Sequence, residues 1–248
     1  MSPLEDKQYL GHRLLERGFK TWFLYMFRLV EQTEFTQDAI HKHLFDVFQD
    51  IYDGTSRRQI INIPPRSGKT SLAKYFVCYC LAINPKSNFI YTSFSQSLLT
   101  TIAKDIFNII KHPAFMAMYN LNASISEKEE DPIDDFWKEY SKKDSDKITF
   151  TTRKIETPAG GVCLFASVGS SITGFGAGQR SESEFSGSLI IDDPNKPADM
   201  YSEHMREKVM MYFEETLLSR LNNSRVPIVI IQQRLHLEDL TGKIQWEL

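Results

Sequence analysis

Apolar residues recur along the chain with two periods, and the change from one to the other separates the elements. Short apolar runs at Ile60–Ile63, Phe89–Thr92, Ile148–Thr152, Val162–Ser167, Leu189–Ile191 and Ile228–Ile231 have the length of buried strands. Between them the spacing turns helical. Ile40, Leu44, Val47, Phe48 and Ile51 predict a helix within 35–52. Met205, Val209, Tyr212, Phe213, Leu217 and Leu221 predict another from about Glu203 to Leu221, with Ser202 as its N-cap. Further helices are expected over residues 1–30 (one or two), from Thr70 to about Leu81, and from Gln96 to Ile110. Asp53-Gly54, Asn84-Pro85 and His112-Pro113 act as stops. A Pro-Ala-Gly-Gly turn joins the strands at 148–152 and 162–167, and the Gly- and Ser-rich stretch 169–188 reads as a loop. No internal repeat is present. Apolar strands alternating with helices imply an α/β fold, with a mostly parallel central sheet covered by helices on both faces.

Residues 124–147 break the pattern. They carry Glu127, Glu129, Glu130, Asp131, Asp134, Asp135, Glu139, Asp144 and Asp146 with lysines interspersed, the composition of a solvated insertion or mobile segment. With 248 residues and 42% apolar content, the rest is ample for one large domain or two small ones. A net charge of -3 excludes a strongly basic nucleic-acid binder, so any contact with DNA must come from local patches. The basic pairs Arg57-Arg58, Lys142-Lys143 and Arg153-Lys154 are candidates, and each is equally an ordinary surface. Cys78, Cys80 and Cys163 complete no zinc-ligand spacing and are expected as buried free thiols. The densest apolar run, Phe19–Val30, is too short to span a bilayer and is interrupted by Lys20 and Arg28. It reads as an aromatic-rich helix packed on the domain of a soluble, cytoplasmic protein, and the N-terminus lacks the form of a secretory signal.

Two strand ends carry chemistry. The first strand runs into Pro64-Pro65-Arg66-Ser67-Gly68-Lys69-Thr70-Ser71 and then a helix. This is a phosphate-binding loop whose usual first glycine is replaced by Ile63. Backbone N–H groups at the helix start would face the phosphates, the helix dipole favours negative charge there, Lys69 would reach the β- and γ-phosphates, and the Thr70 hydroxyl would ligate Mg²⁺. Arg66 adds a cation within the loop. The second strand end is Leu189-Ile190-Ile191-Asp192-Asp193. Asp192 is assigned to the Mg²⁺ shell and Asp193 to the attacking water, because hydrolysis of ATP needs both a metal-holding carboxylate and a group to orient or deprotonate water. Gln232-Gln233-Arg234 ends the last strand, where an amide could sense the γ-phosphate.

With these motifs in place, the chain resembles the ATPase half of tailed-phage large terminases. The resembling stretches are Ile61–Thr70, Ser170–Gly178, Leu189–Pro197 and Gln233–Gly242, and residues 35–242 follow that family's order of motifs. The resemblance implies a P-loop NTPase of the additional-strand type over 35–248, preceded by a helical segment at 1–34, with the Ile228–Ile231 strand between the phosphate-loop strand and the Asp192 strand. It implies adenine contacts at Phe35 and Gln37, and Gln232 and Gln233 beside the γ-phosphate. It also implies a homo-oligomeric ring on a capsid portal, in which Arg180 of one copy completes the site of the next and Arg66 acts in cis. Arg153, Arg206 and Arg220 are the other candidates for the trans-acting arginine. The implied partners are double-stranded DNA, the portal protein and the small terminase subunit, in the host cytoplasm; the isolated chain is expected to be a monomer. Complete members resemble a two-part enzyme with a ribonuclease H-type nuclease after the ATPase, so no DNA cleavage is expected of residues 1–248. The rival readings are a helicase-like DNA-dependent ATPase, a P-loop small-molecule kinase, and a nucleotide-binding scaffold that no longer hydrolyses.

Overall fold

The computed structural model describes residues 3–119, 126–127, 148–180 and 184–247. Apart from a two-residue strand near its start, the acidic segment 124–147, with Lys142-Lys143, lies outside the described residues. The described chain runs α1 (Pro3–Glu16), α2 (Phe19–Glu31), α3 (Ala39–Asp53), β1 (Arg58–Asn62), α4 (Lys69–Ile83), β2 (Asn88–Ser93), α5 (Gln96–Lys111), α6 (Pro113–Tyr119), β3 (Ser126–Glu127), β4 (Thr149–Thr151), β5 (Lys154–Glu156), β6 (Val162–Ser167), β7 (Leu189–Asp192), α7 (Glu203–Met211), β8 (Ile228–Gln232) and α8 (Leu240–Glu247). The strands form one sheet in the order β1-β8-β7-β2-β6-β5-β4-β3. The pairs β1–β8, β8–β7, β7–β2 and β2–β6 are parallel, while β5 runs antiparallel to β4 and β6. The last long strand in sequence, β8, is thus inserted between β1 and β7, where the resemblance put it.

Alternation along the central strands explains the layers. Phe89, Tyr91, Ile190, Val229 and Ile231 face one core, which also holds Phe19, Trp22, Phe23, Phe45, Phe48 and Phe76 from the N-terminal helices and α4. Ile90, Leu189, Ile191, Ile228 and Ile230 face the other, with Met210, Phe213, Leu217 and Leu240. Neighbouring residues of a strand point to opposite faces, so a run that is apolar at every position needs a cover on both sides. The N-terminal helices are part of the first core. Phe19 and Trp22 are fully buried, and Trp22 Nε1 donates to Tyr119 Oη at 2.8 Å, tying α2 to α6. Helix α4 lies between this aromatic layer and the sheet and is buried nearly all round, which accounts for Cys78 and Cys80; all three cysteines are buried free thiols. Among the described residues, no helix is long and apolar enough to cross a membrane.

Several boundaries differ from the periodicity. The helix expected within 35–52 begins at Ala39, because Asp38 caps it and leaves Phe35–Gln37 outside the helix. Where a single strand was expected before the Pro-Ala-Gly-Gly turn there are two. Thr151 Oγ1 accepts from the N–H groups of Arg153 and Lys154, folding the chain back so that β5, not β4, leads into that turn. Pro113 ends α5 but also starts α6, occupying a first helical position where its missing N–H is harmless. The helix from Glu203 keeps its Ser202 cap, with Met205 N donating to Ser202 Oγ, but loosens to a π-turn over Tyr212–Leu217 and a 3-10 turn to Arg220.

Candidate functional site

In a parallel sheet the strand ends that carry ligands are the C-terminal ones, and β1, β7 and β8 all end on the same edge. The loop from Ile63 to Gly68 leaves β1 there and turns into α4. It makes two unusual backbone turns: Arg66 has φ 62° and Gly68 has φ 73°. Gly68 precedes the first turn of α4 and no side chain caps that turn, so the first N–H groups of a 15-residue helix remain available at the loop. Ser67 Oγ donates to the Pro64 carbonyl at 2.7 Å, closing the loop on itself. Pro65 and Arg66 are exposed, Ser67, Gly68, Thr70 and Ser71 are half-buried, and Lys69 is buried.

Lys69 points back across the sheet edge. Its Nζ lies 2.8 Å from Asp193 Oδ1, and the backbone N–H of Gln233 approaches the same oxygen at 3.3 Å. Asp193 itself has φ 45°, a left-handed conformation uncommon for a residue with a side chain. Its peptide is anchored on both sides: its N–H donates to the Ile231 carbonyl at 2.8 Å and its carbonyl accepts from Phe94 N at 3.1 Å. A residue forced into this region beside an ion pair is the kind of local strain that clusters at working sites.

Asp192, one residue earlier, sits on the α4 side of the sheet, two positions on from Ile190, and is wholly buried. Tyr91 Oη, from β2, donates to its Oδ2 at 2.8 Å, while Oδ1 has no hydrogen-bonded partner. Burial, and then the charge of Asp193, push the Asp192 carboxyl up to about 6; the hydroxyls of Tyr91 and Thr70 and the Lys69 ammonium act the other way. The same burial, followed by the Asp192 charge, drives the Tyr91 phenol far up, so it stays a donor. Among the described residues no group of three His, Cys, Asp or Glu could hold a metal by itself.

The other sequence candidates fall in different places. Gln232 has the parity of Ile228 and Ile230, facing α7 and α8, and both its amide atoms are buried without partners. Gln233, the next residue, meets Asp193 through its backbone. Phe35 packs edge-on against Phe23, Phe27 and His41 at 4.9, 5.1 and 4.9 Å and covers Gly68, while Gln37 is exposed. Arg180 is exposed but lies at the opposite end of the sheet. Its neighbour Gln179 donates to the Lys86 carbonyl, and Gly178 N donates to the Asn88 carbonyl at the start of β2. One strand length, roughly 17 Å, separates that edge from Asp193. The structure therefore does not bring Arg180 to the site of its own chain. Arg206 is buried and holds the Met200 carbonyl and Glu238, an internal tie. The Arg234–Leu240 segment is structural as well. Asp239 accepts from Leu235 N, His236 N, Gly242 N and Arg234, closing the loop after β8 and starting α8. Two residues at the site carried no sequence signal of their own. Tyr91 was visible only as part of a strand. His41, beside Ser67, was recognisable at most as the third residue after an N-cap aspartate.

No protein-family profile matches the sequence, and no curated protein sequence matches it. Among solved structures, the chain is similar to the HK97 bacteriophage large terminase, with a TM-score of 0.53 at 14% sequence identity, over 94% of this chain and 40% of that one. The chain thus spans about two fifths of the length of the terminase it matches. At that identity the likeness is one of fold: the chain has the mostly parallel α/β architecture seen in the HK97 large terminase.

Proposed function

We propose that the chain is the ATP-hydrolysing motor module of a viral large terminase, converting ATP and water to ADP and phosphate and driving double-stranded DNA into a procapsid. The observation that carries this reading is the meeting of Lys69, Asp193 and the buried Asp192 at the uncapped start of α4. The fold likeness to a phage terminase over nearly the whole chain favours this motor over other P-loop enzymes.

The residues suit a magnesium–triphosphate. Thr70 and the unpartnered Oδ1 of Asp192 offer one hydroxyl and one carboxylate, the small protein donor set that Mg²⁺ takes when phosphates and water supply the rest. When bound, the ion would neutralise charge on the β- and γ-phosphates. The chain's own residues do the remaining work. The N–H groups of 67–71 cradle the phosphates, and Lys69 exchanges Asp193 for the γ-phosphate. That exchange frees the Asp193 carboxylate to orient the attacking water and take its proton. Arg66 and Gln233 lie on the same edge and respond to the γ-phosphate. Arg180 serves the neighbouring copy in a ring, which suits its distance from the site of its own chain. The portal protein and the small terminase subunit are the partners such a motor engages.

Phosphate release with Mg²⁺ and ATP, measured for wild type and Lys69→Ala, tests the reading. Release by wild type that disappears in Lys69→Ala supports it, and equal release in both ends it.

A further inference from the structure

The β1–α4 loop does not hold itself in shape alone. The Ser67 carbonyl faces α3, where His41 Nε2 lies 3.0 Å away. A carbonyl only accepts, so that ring nitrogen carries the hydrogen. The other ring nitrogen is turned to the start of α3, 2.8 Å from Asp38 Oδ1 and 3.3 Å from Asp38 N. The imidazole is thus tied at both ends. Phe35 closes over it edge-on at 4.9 Å, and only 12% of the side chain reaches solvent.

The place of this contact in the loop gives it a consequence. Ser67 lies between Arg66 and Gly68, the two left-handed residues of the loop. In a trans peptide the C=O and N–H point in opposite directions. Holding the Ser67 carbonyl toward His41 therefore aims the Gly68 N–H the other way, into the loop. Gly68 is held closely as well: a Cβ there would lie 3.2 Å from His41 Nε2 and 3.3 Å from Phe35 Cζ. We infer that His41 is a positioning residue for nucleotide binding, anchoring the Ser67 carbonyl so that the Gly68 N–H stays turned toward the phosphates, without touching the nucleotide itself. The inference rests on the proposed function, in that it takes the loop to be a phosphate cradle.

The test is a titration of the chain with a fluorescent ATP analogue and Mg²⁺, in wild type, His41→Ala, His41→Gln and Asp38→Ala. Loss of one positioning hydrogen bond should weaken binding about tenfold in His41→Ala, with turnover at saturating nucleotide changed less. His41→Gln, which keeps a donor on a side chain of similar reach, should recover most of the affinity. Asp38→Ala loses the same α3 cap but leaves the ring hydrogen at Ser67, so its melting temperature should fall with that of His41→Ala while its affinity stays within about twofold of wild type. Amide exchange at Gly68 should quicken in His41→Ala and not in Asp38→Ala. Wild-type affinity in His41→Ala, or equal losses in the alanine variants of His41 and Asp38, overturns the inference. A wild type that binds no nucleotide overturns the proposed function and this inference with it, and the wild-type titration alone distinguishes that case.

Discussion

Lys69 Nζ and Asp193 Oδ1 stand 2.8 Å apart, joining two loops whose residues are 124 positions apart in sequence. The pair couples the cation expected at the γ-phosphate to the carboxylate expected at the attacking water. In the proposed function each neutralises the other until nucleotide binds, and binding would have to break the contact.

Replacing Asp193 by Asn weakens that competition. Asp193→Asn should bind Mg–ATP several-fold more tightly than wild type, because Lys69 is no longer held by a full charge. Its turnover should drop by roughly 10² to 10⁴, the usual contribution of a positioned base. Equilibrium binding and phosphate release on one preparation measure both. Weaker binding together with undiminished turnover would remove Asp193 from the water-activating role.

The buried Asp192 carboxylate destabilises the nucleotide-free chain. Its folded pKa of about 6 lies above the ordinary 3.8, so the native state holds the proton more tightly than the unfolded state. Stability from this group is therefore fully present below about pH 4, is lost as pH rises through about 6, and stays low above that, a difference of roughly 2–3 kcal/mol. Asp192→Asn removes the charge but keeps an acceptor for Tyr91. It should melt several degrees higher than wild type at pH 7.5 and show no such advantage at pH 4, while losing hydrolysis. Calorimetry across that pH range checks the sign; a variant less stable than wild type at pH 7.5 contradicts it.

Tyr91→Phe removes the phenol hydroxyl that donates to Asp192 Oδ2. A buried carboxylate that loses a donor should cost about 1–3 kcal/mol of stability. The Mg²⁺ concentration needed for half-maximal nucleotide binding should rise as well, since Asp192 is then free to rotate. Chemical denaturation and Mg²⁺ titration read the two effects separately. A stability loss with an unchanged Mg²⁺ requirement would confine Tyr91 to packing.

Arg180→Ala should leave nucleotide binding by the isolated chain unchanged, because Arg180 sits at the far edge of the sheet from Lys69. In an assembled motor the same change should lower turnover by about 10³ or more, the scale of an inserted arginine. Comparing dilute chain with portal-bound assemblies decides it, and equal losses in both would exclude a role between copies.

The local elements were legible because each depends on residues close together in the chain. Short continuous apolar runs marked the central strands, helical spacing marked α3 and α7, stop signals bounded α4 and α5, and Ser202 marked where α7 begins. The loop at 64–71 and the aspartates at 192–193 could be read as chemistry because their residue types are adjacent in sequence. Misreadings arose where a short-range hydrogen bond competed with the pattern, as at Thr151, which divides one expected strand into β4 and β5, and at Asp38, which delays α3.

What the amino-acid order determined alone was therefore the inventory: a phosphate-loop sequence, a pair of carboxylates, and the strands and helices that carry them. The position of β8 between β1 and β7 was not in that inventory; periodicity does not order strands, and the placement came from family resemblance until the topology supplied it. Only the tertiary structure decided that Lys69 meets Asp193, that Tyr91 holds Asp192 from 101 residues away, and that His41 holds Ser67 from 26 away. These contacts form because two apolar faces of one sheet must both be buried. Covering them brings β2, β7, α3 and α4 together, and no local stretch of sequence contains that requirement.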